Sequence, residues 1–142
     1  MEIEKKKILI ADDEPYVIRV VKLKLTNAGY EVITASNGIE ALEKIRAIRP
    51  DVVISDINMP HLGGKELCLR AIPLKKEKEF LTIVITSSLE EADRVWAHSM
   101  EKTIFIEKPF SPKELVKIIG QYFGSEFKNQ NSRARSQWLE KN

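Results

Sequence analysis

Five polar side chains follow short apolar runs. Asp12 and Asp13 come after Ile8-Leu9-Ile10-Ala11, Asp56 after Val52-Val53-Ile54-Ser55, Thr86 after Leu81-Thr82-Ile83-Val84-Ile85, and Lys108 after Thr103-Ile104-Phe105-Ile106-Glu107. Carboxylates crowded into one place repel, so a cluster of them calls for a cation near neutral pH. Oxygen ligands without His or Cys favour a hard ion. Mg²⁺ fits, because it binds through one or two carboxylates, water and phosphate oxygens. Lys108 would add a mobile positive charge, and Thr86 a hydroxyl donor. Gathered beside Asp56, these groups suit phosphoryl transfer, in which cations neutralise charge while a nucleophile is held in line. Aspartate is a nucleophile in aspartyl-phosphate chemistry. Singly, each residue has a plainer reading: Asp12-Asp13 as a helix cap, Thr86 as a β-branched strand residue, Lys108 as a surface lysine, Asp56 as a turn residue. The chemistry therefore depends on elements that bring all five together.

The hydrophobic pattern supplies such elements. Val52 to Asp56 is continuously apolar up to its carboxylate, as expected of a strand buried on both faces of a parallel sheet. Ile8–Ala11, Val32–Ala35, Leu81–Thr86 and Thr103–Ile106 read as four more strands. Between them, apolar residues recur at helical spacing. The first helix starts at Pro15 and closes at Gly29, with Val17, Val20, Val21 and Leu25 apolar; the second carries Ile39, Ala41, Leu42 and Ile45 and ends before Pro50. A third runs from Gly64 to about Ile72, followed by a charged loop from Pro73 to Glu79. A fourth is capped by Ser87 or Ser88 and runs to about Ser99. The fifth is started by Ser111-Pro112-Lys113-Glu114, with Leu115, Ile118, Ile119 and Tyr122 as its buried face, and ends at Gly124. The alternation predicts an α/β fold, a (βα)5 doubly wound parallel sheet with the flavodoxin-like order 2-1-3-4-5. In such a sheet ligands gather at the carboxyl ends of the strands, which is where all five polar groups stand.

At these residues the sequence resembles the response-regulator receiver domain, the phosphoacceptor module of two-component signalling. The resemblance covers residues 6–123 and rests on Asp12-Asp13, on Asp56-Ile57-Asn58-Met59-Pro60 with Gly64, on Thr86, and on Lys108-Pro109-Phe110. It implies that Asp56 is the phosphoacceptor. It implies that Asp13, Asp56 and the backbone carbonyl of Asn58 bind Mg²⁺, with Asp12 acting through water. Lys108 pairs with the phosphoryl group, Thr86 swings to hydrogen-bond it, and Phe105 follows inward. The Lys108–Pro109 bond is typically cis in the family. The phosphoryl donor would be a sensor histidine kinase or a histidine phosphotransfer protein, docking around Pro15 to Val21. The change would be read, by an output partner the sequence does not name, on the last strand and the helices flanking it. Asn58 and Ser88 would flank the phosphoryl group and give it a moderate lifetime. Glu101-Lys102 departs from the Gly-Ala pair common before the last strand, and Phe105 stands where Tyr is frequent.

Composition bounds the rest. An apolar fraction of 43% and a charged fraction of 31% in 142 residues suit one soluble domain. No apolar run approaches the ~20 residues of a membrane helix, and Met1–Lys7 lacks the apolar core of a signal peptide. With one cysteine, Cys68, no internal disulfide forms, and the expected location is the cytoplasm. The formal net charge of +2 is accounted for by the polar, mildly basic residues 124–142. They are expected to be an extra helix, a linker remnant or a disordered tail after a domain at 1–123. The domain itself is charge-balanced, so direct nucleic-acid binding is not expected; monomer and phosphorylation-dependent dimer both stay open. Self-catalysed phosphorylation and dephosphorylation are expected, not turnover of an external substrate. Two alternatives stand beside this reading. An aspartate-nucleophile phosphatase of the haloacid-dehalogenase type would need a second Asp where Asn58 stands. A receiver-like scaffold that is never phosphorylated would not need the full set. A nucleotide or flavin site is disfavoured, because residues 11–16 offer acid where a phosphate loop offers backbone amides. His61 and His98 read as surface residues, Cys68 as buried and apolar. Trp96 reads as ordinary packing; Trp138 has the stronger claim to a partner contact.

Overall fold

The computed structural model describes residues 4–87 and 101–127. Its elements are β1 (Lys7–Ala11), α1 (Pro15–Asn27), β2 (Glu31–Ala35), α2 (Gly38–Ile48), β3 (Val52–Asp56), α3 (Gly64–Glu77), β4 (Leu81–Thr86), β5 (Thr103–Glu107) and α4 (Pro112–Phe127). The five strands form one parallel sheet in the order β2-β1-β3-β4-β5, the order expected from the sequence. The helix expected from Ser87 or Ser88 to Ser99 lies outside the described residues, with Ser88, Trp96 and His98; so do residues 128–142, including Trp138.

Every residue of β3 and β4 is buried, because strands on both sides and helices on both faces leave them no water. Their alternate side chains feed two cores. Ile8, Ile10, Val52, Ile54, Ile83 and Ile104 pack with Val21 and Leu25 of α1 and Leu115 and Ile119 of α4. On the other face Leu9, Ala11 and Val53 pack with Ala41 and Ile45 of α2 and Leu67 and Ala71 of α3. Burying one such aliphatic side chain contributes about 1.5–3 kcal/mol. The sheet is thereby a rigid frame, with its carboxyl edge left for the site.

Local signals set several helix ends. Pro15 occupies the first turn of α1. Asn37 caps α2, accepting the Glu40 N–H on its side-chain oxygen at 2.9 Å. The Ser111 hydroxyl accepts the Lys113 N–H at 3.2 Å at the start of α4. Gly29 follows α1 with φ +101°, a left-handed conformation that suits glycine.

Two helices run longer than the sequence suggests. α3 does not stop at Ile72: it passes through Pro73 to Glu77, so most of the expected charged loop is helix. Proline there removes the hydrogen bond that would reach the Leu69 carbonyl. Leu69 and Pro73 are both exposed, so water can satisfy that carbonyl. The turn beyond is held by Leu74, packed on the α2–α3 core, and by the Lys78 N–H donating to the Leu74 carbonyl at 3.1 Å. α4 likewise continues past Gly124. Gly124 has no positive φ, and packing from Leu115 to Tyr122 holds the helix together.

Candidate functional site

Asp12, Asp13 and Asp56 meet at the carboxyl edge of the sheet. One oxygen from each carboxylate lies within 4.8 Å of the others. Asp12 and Asp56 are buried, at 3% and 4% exposure, while Asp13 is open to solvent. The pairing of β1 with β3 puts Ala11 beside Ser55, so the residues that follow, Asp12 and Asp56, are neighbours.

Backbone groups hold the carboxylates. Asp12 accepts the Glu14 N–H at 2.9 Å, and its own N–H donates to the Ala35 carbonyl at 3.1 Å. Asp56 Oδ1 receives a long hydrogen bond from the Asn58 N–H, at 3.5 Å, and Asp56 Oδ2 faces the Lys108 ammonium at 3.3 Å. Ser55, unremarked in the sequence, donates its hydroxyl to the Asp56 carbonyl at 3.0 Å. No sequence signal marks such a contact in an otherwise apolar strand. Burial holds the Asp12 carboxyl above the usual carboxylate range, with Asp56 adding to the effect; the Glu14 N–H and Lys108 oppose it.

Thr86 ends β4, 1% exposed and one residue beyond Ile85, the partner of Asp56. Its carbonyl accepts the Lys108 N–H at 2.7 Å, which fixes the lysine backbone at the same edge. The Lys108–Pro109 bond is cis. Phe105 is partly buried against Cys68, Val84 and Ile57, with Cys68 buried as expected. His61 is exposed, also as expected, but takes a left-handed φ of 66° in the loop after β3. Asn58 is exposed beside the cluster. Asp12, Asp13, Asp56, Asn58, Thr86 and Lys108 thus share one edge, while Phe105 lies further along β5.

The donor set fits a hard divalent cation. Three carboxylates face one ammonium, so two positive charges would balance the cluster, and every side-chain ligand is oxygen. The exposed Asp13 leaves one side open to an ion and to an incoming anionic group.

The family described as the response regulator receiver domain matches residues 8–120. The chain belongs to that family. It is 44% identical to the protein named "Probable transcriptional regulator ycf27" of Pyropia yezoensis over 115 residues, which are 81% of this chain and 46% of that protein. It is 38% identical to the alkaline phosphatase synthesis transcriptional regulatory protein PhoP of Bacillus subtilis (strain 168) over 111 residues, 78% of this chain and 45% of that protein. The receiver domain therefore spans about half the length of these relatives. Among solved structures, the chemotaxis response regulator CheY4 of Vibrio cholerae superposes with a TM-score of 0.75 at 32% identity, covering 83% of this chain and 98% of that one. Response regulator TrrA of Thermotoga maritima, in complex with Mg²⁺ and BeF, gives 0.69 at 32% identity, covering 82% of this chain and 97% of that one. This chain is thus the receiver domain of a two-component response regulator. Among the described residues no helix is long and apolar enough to cross a membrane.

Proposed function

We propose that this receiver domain accepts a phosphoryl group on Asp56 from a phosphohistidine and switches conformation in response. The observation that carries the reading is the buried Asp56 carboxylate, set between two further carboxylates and the Lys108 ammonium. In the transfer, an Asp56 carboxylate oxygen forms a bond to phosphorus as the phosphorus–nitrogen bond breaks, and the departing imidazole takes a proton. Lys108 pairs with the charge on the incoming phosphoryl oxygens. Asp13, Asp56 and the Asn58 carbonyl would hold Mg²⁺, with Asp12 acting through water. Bound Mg²⁺ supplies charge neutralisation at the phosphoryl oxygens. The TrrA complex with Mg²⁺ and BeF supports the assignment by analogy.

Thr86 then hydrogen-bonds the phosphoryl group and Phe105 moves inward, shifting a pre-existing equilibrium between two states. The donor is a sensor histidine kinase or histidine phosphotransfer protein. Tyr16 and Leu23, 71% and 62% exposed on α1, supply apolar contact for its helices. The output partner reads β5 and its flanking helices. The relatives' names point to transcriptional regulation, but they are about twice as long, so the part assigned to residues 1–123 is acceptor and switch alone, with 124–142 as an appended segment. A cytoplasmic location fits such a donor, and the chemistry is self-modification, not turnover of an external substrate.

Intact mass after incubation with acetyl phosphate and Mg²⁺ tests the proposal. One phosphoryl group is expected on the parent and none on Asp56→Asn or in excess chelator. No adduct on the parent while the donor remains intact overturns it in favour of an unphosphorylated scaffold. Steady hydrolysis of unrelated phosphomonoesters overturns it in favour of a phosphatase.

A further inference from the structure

Lys75 lies in the last turns of α3, on the side of the sheet opposite α1 and α4. Its ammonium donates to the carbonyls of Glu101 at 2.7 Å and Lys102 at 3.3 Å and to the Thr103 hydroxyl at 3.2 Å. It also lies 5.1 Å from the ring centroid of Phe80. Three oxygens of one turn therefore converge on a single half-buried lysine. Burial pushes the Lys75 amine down to about 8, with the Lys102 ammonium adding to the effect and Cys68, Glu101 and Glu79 opposing it.

That turn is where β5 begins, and it is unusual. Lys102 takes a left-handed φ of 49°, a conformation that disfavours side chains with a Cβ. It is part of the Glu101-Lys102 pair that departs from the family's Gly-Ala. The Lys102 carbonyl also accepts the Thr82 N–H at 2.8 Å, at the start of the β4–β5 ladder. The Lys102 ammonium reaches Glu79 at 2.8 Å and lies 5.5 Å from the Tyr122 ring centroid. A set of side-chain contacts holds this turn.

Alternation along β5 turns Ile104 and Ile106 toward α1 and α4. Thr103 and Phe105 face the other way, toward α3. Cys68 and Lys75 are seven residues apart on α3, two turns, and so lie on one stripe. Cys68 packs with Phe105, and Lys75 bonds to Thr103. One helix thus grips β5 at its start by hydrogen bonds and at its middle by apolar contact. In the described sheet β5 is an edge strand paired only to β4, so face contacts matter for its placement. Its far end carries Lys108 to Asp56.

We infer that Lys75 is a positioning residue for the acceptor site: by fastening the Glu101–Thr103 turn to α3 it fixes β5, and with it Phe105 and Lys108. The inference deepens the acceptor reading and rests on it. A lysine that served only general stability would loosen the whole sheet when removed.

The experiment uses the full chain as parent, Lys75→Met, Lys75→Arg and, as a surface control, Lys76→Met, at a temperature where circular dichroism shows all four folded. Hydrogen exchange is followed along the chain, together with the acetyl phosphate phosphorylation rate and Mg²⁺ affinity. Methionine keeps an apolar stem over Phe80 and removes the donors. For Lys75→Met, exchange at residues 103–107 is expected to rise about tenfold while β1 and β3 stay as in the parent. The phosphorylation rate is expected to fall by a factor of about 3–30, a small misplacement being costly, with Mg²⁺ affinity within about twofold. Lys75→Arg recovers most of both, and Lys76→Met matches the parent. Exchange rising evenly across the sheet, or a local rise with no change in rate, overturns the inference. If the parent takes no phosphoryl group, the acceptor reading fails, and exchange alone decides the anchoring: a rise confined to β5 upholds it, an even one overturns it.

Discussion

The close approach of Asp56 to the start of α3 depends on a missing side chain. A Cβ on Gly64 would lie 2.6 Å from the Asp56 carbonyl oxygen and 2.8 Å from the Ile57 Cα. Both are backbone atoms, so no rotamer change relieves the clash, and the Gly64 N–H already donates to the Ile57 carbonyl at 2.8 Å. Gly64 has no positive φ; what it provides is space, not conformational freedom. Gly64→Ala is expected to cost about 1–3 kcal/mol, the usual scale of overpacking, read from the urea midpoint, and to slow acetyl phosphate phosphorylation because Asp56 is displaced. Lys65→Ala, one residue on and exposed, serves as the unaffected control. The sequence marks Gly64 as part of a motif without revealing this reason. It also shows the carboxylates, Thr86 and Lys108 at strand ends, because apolar runs terminate visibly. It cannot show that His61 and Lys102 adopt left-handed backbone, since neither residue type advertises it, nor that the Ser55 hydroxyl bonds to the Asp56 carbonyl.

Among the elements, α2 shows a start written in the sequence and finished by a contact that is harder to foresee. Asn37 caps it, and Glu40 reaches back to the Ser36 N–H at 2.7 Å and hydroxyl at 3.0 Å while pairing with Lys44 at 3.0 Å. These hydrogen bonds, the Ser36 N–H foremost, hold the Glu40 carboxyl at about 2. A carboxyl held below its unfolded value contributes stability above that unfolded value, near 4.5, and loses it as pH falls toward 2. Glu40 is over a third exposed, so water screens the effect and the expected size is about 1 kcal/mol. Glu40→Gln should therefore be less stable than the parent at about pH 6, with the gap narrowed to roughly half at about pH 3 and closing only below the folded value, measured by urea unfolding at both. A gap that persists unchanged at the lower pH would mean that packing, not ionisation, carries the contribution. α3 teaches the opposite lesson. Pro73 is a local stop signal, and tertiary contacts at Leu74 and Lys75 override it. Those contacts reach across the chain to residues invisible from a window around Pro73.

Across the whole molecule, the sheet order was legible because strand and helix patterns alternate and crossovers are right-handed. The links that tie distant segments were not. Asp51 accepts the Lys7 N–H at 2.8 Å and pairs with Lys78 at 3.0 Å, joining β1, the start of β3 and the end of α3 at the amino edge. The opposite edge holds the carboxylate cluster, so neutralising ties and repulsive crowding are separated across the sheet. Folding concentrates Asp12, Asp13 and Asp56, which the unfolded chain keeps apart, and the repulsion opposes the folded state. Removing one member relieves it: in metal-free buffer Asp56→Asn is expected to melt above the parent by a few degrees, about 1 kcal/mol for a domain of this size. A divalent ion that binds only the folded cluster reverses the order. At about ten times its dissociation constant, Mg²⁺ adds about 1.4 kcal/mol to the parent and little to Asp56→Asn. Thermal melts of both proteins with and without Mg²⁺ should therefore cross. Parallel shifts of the two curves would place the ion away from Asp56; an unshifted parent at millimolar Mg²⁺ would mean that the three carboxylates do not act as a metal site.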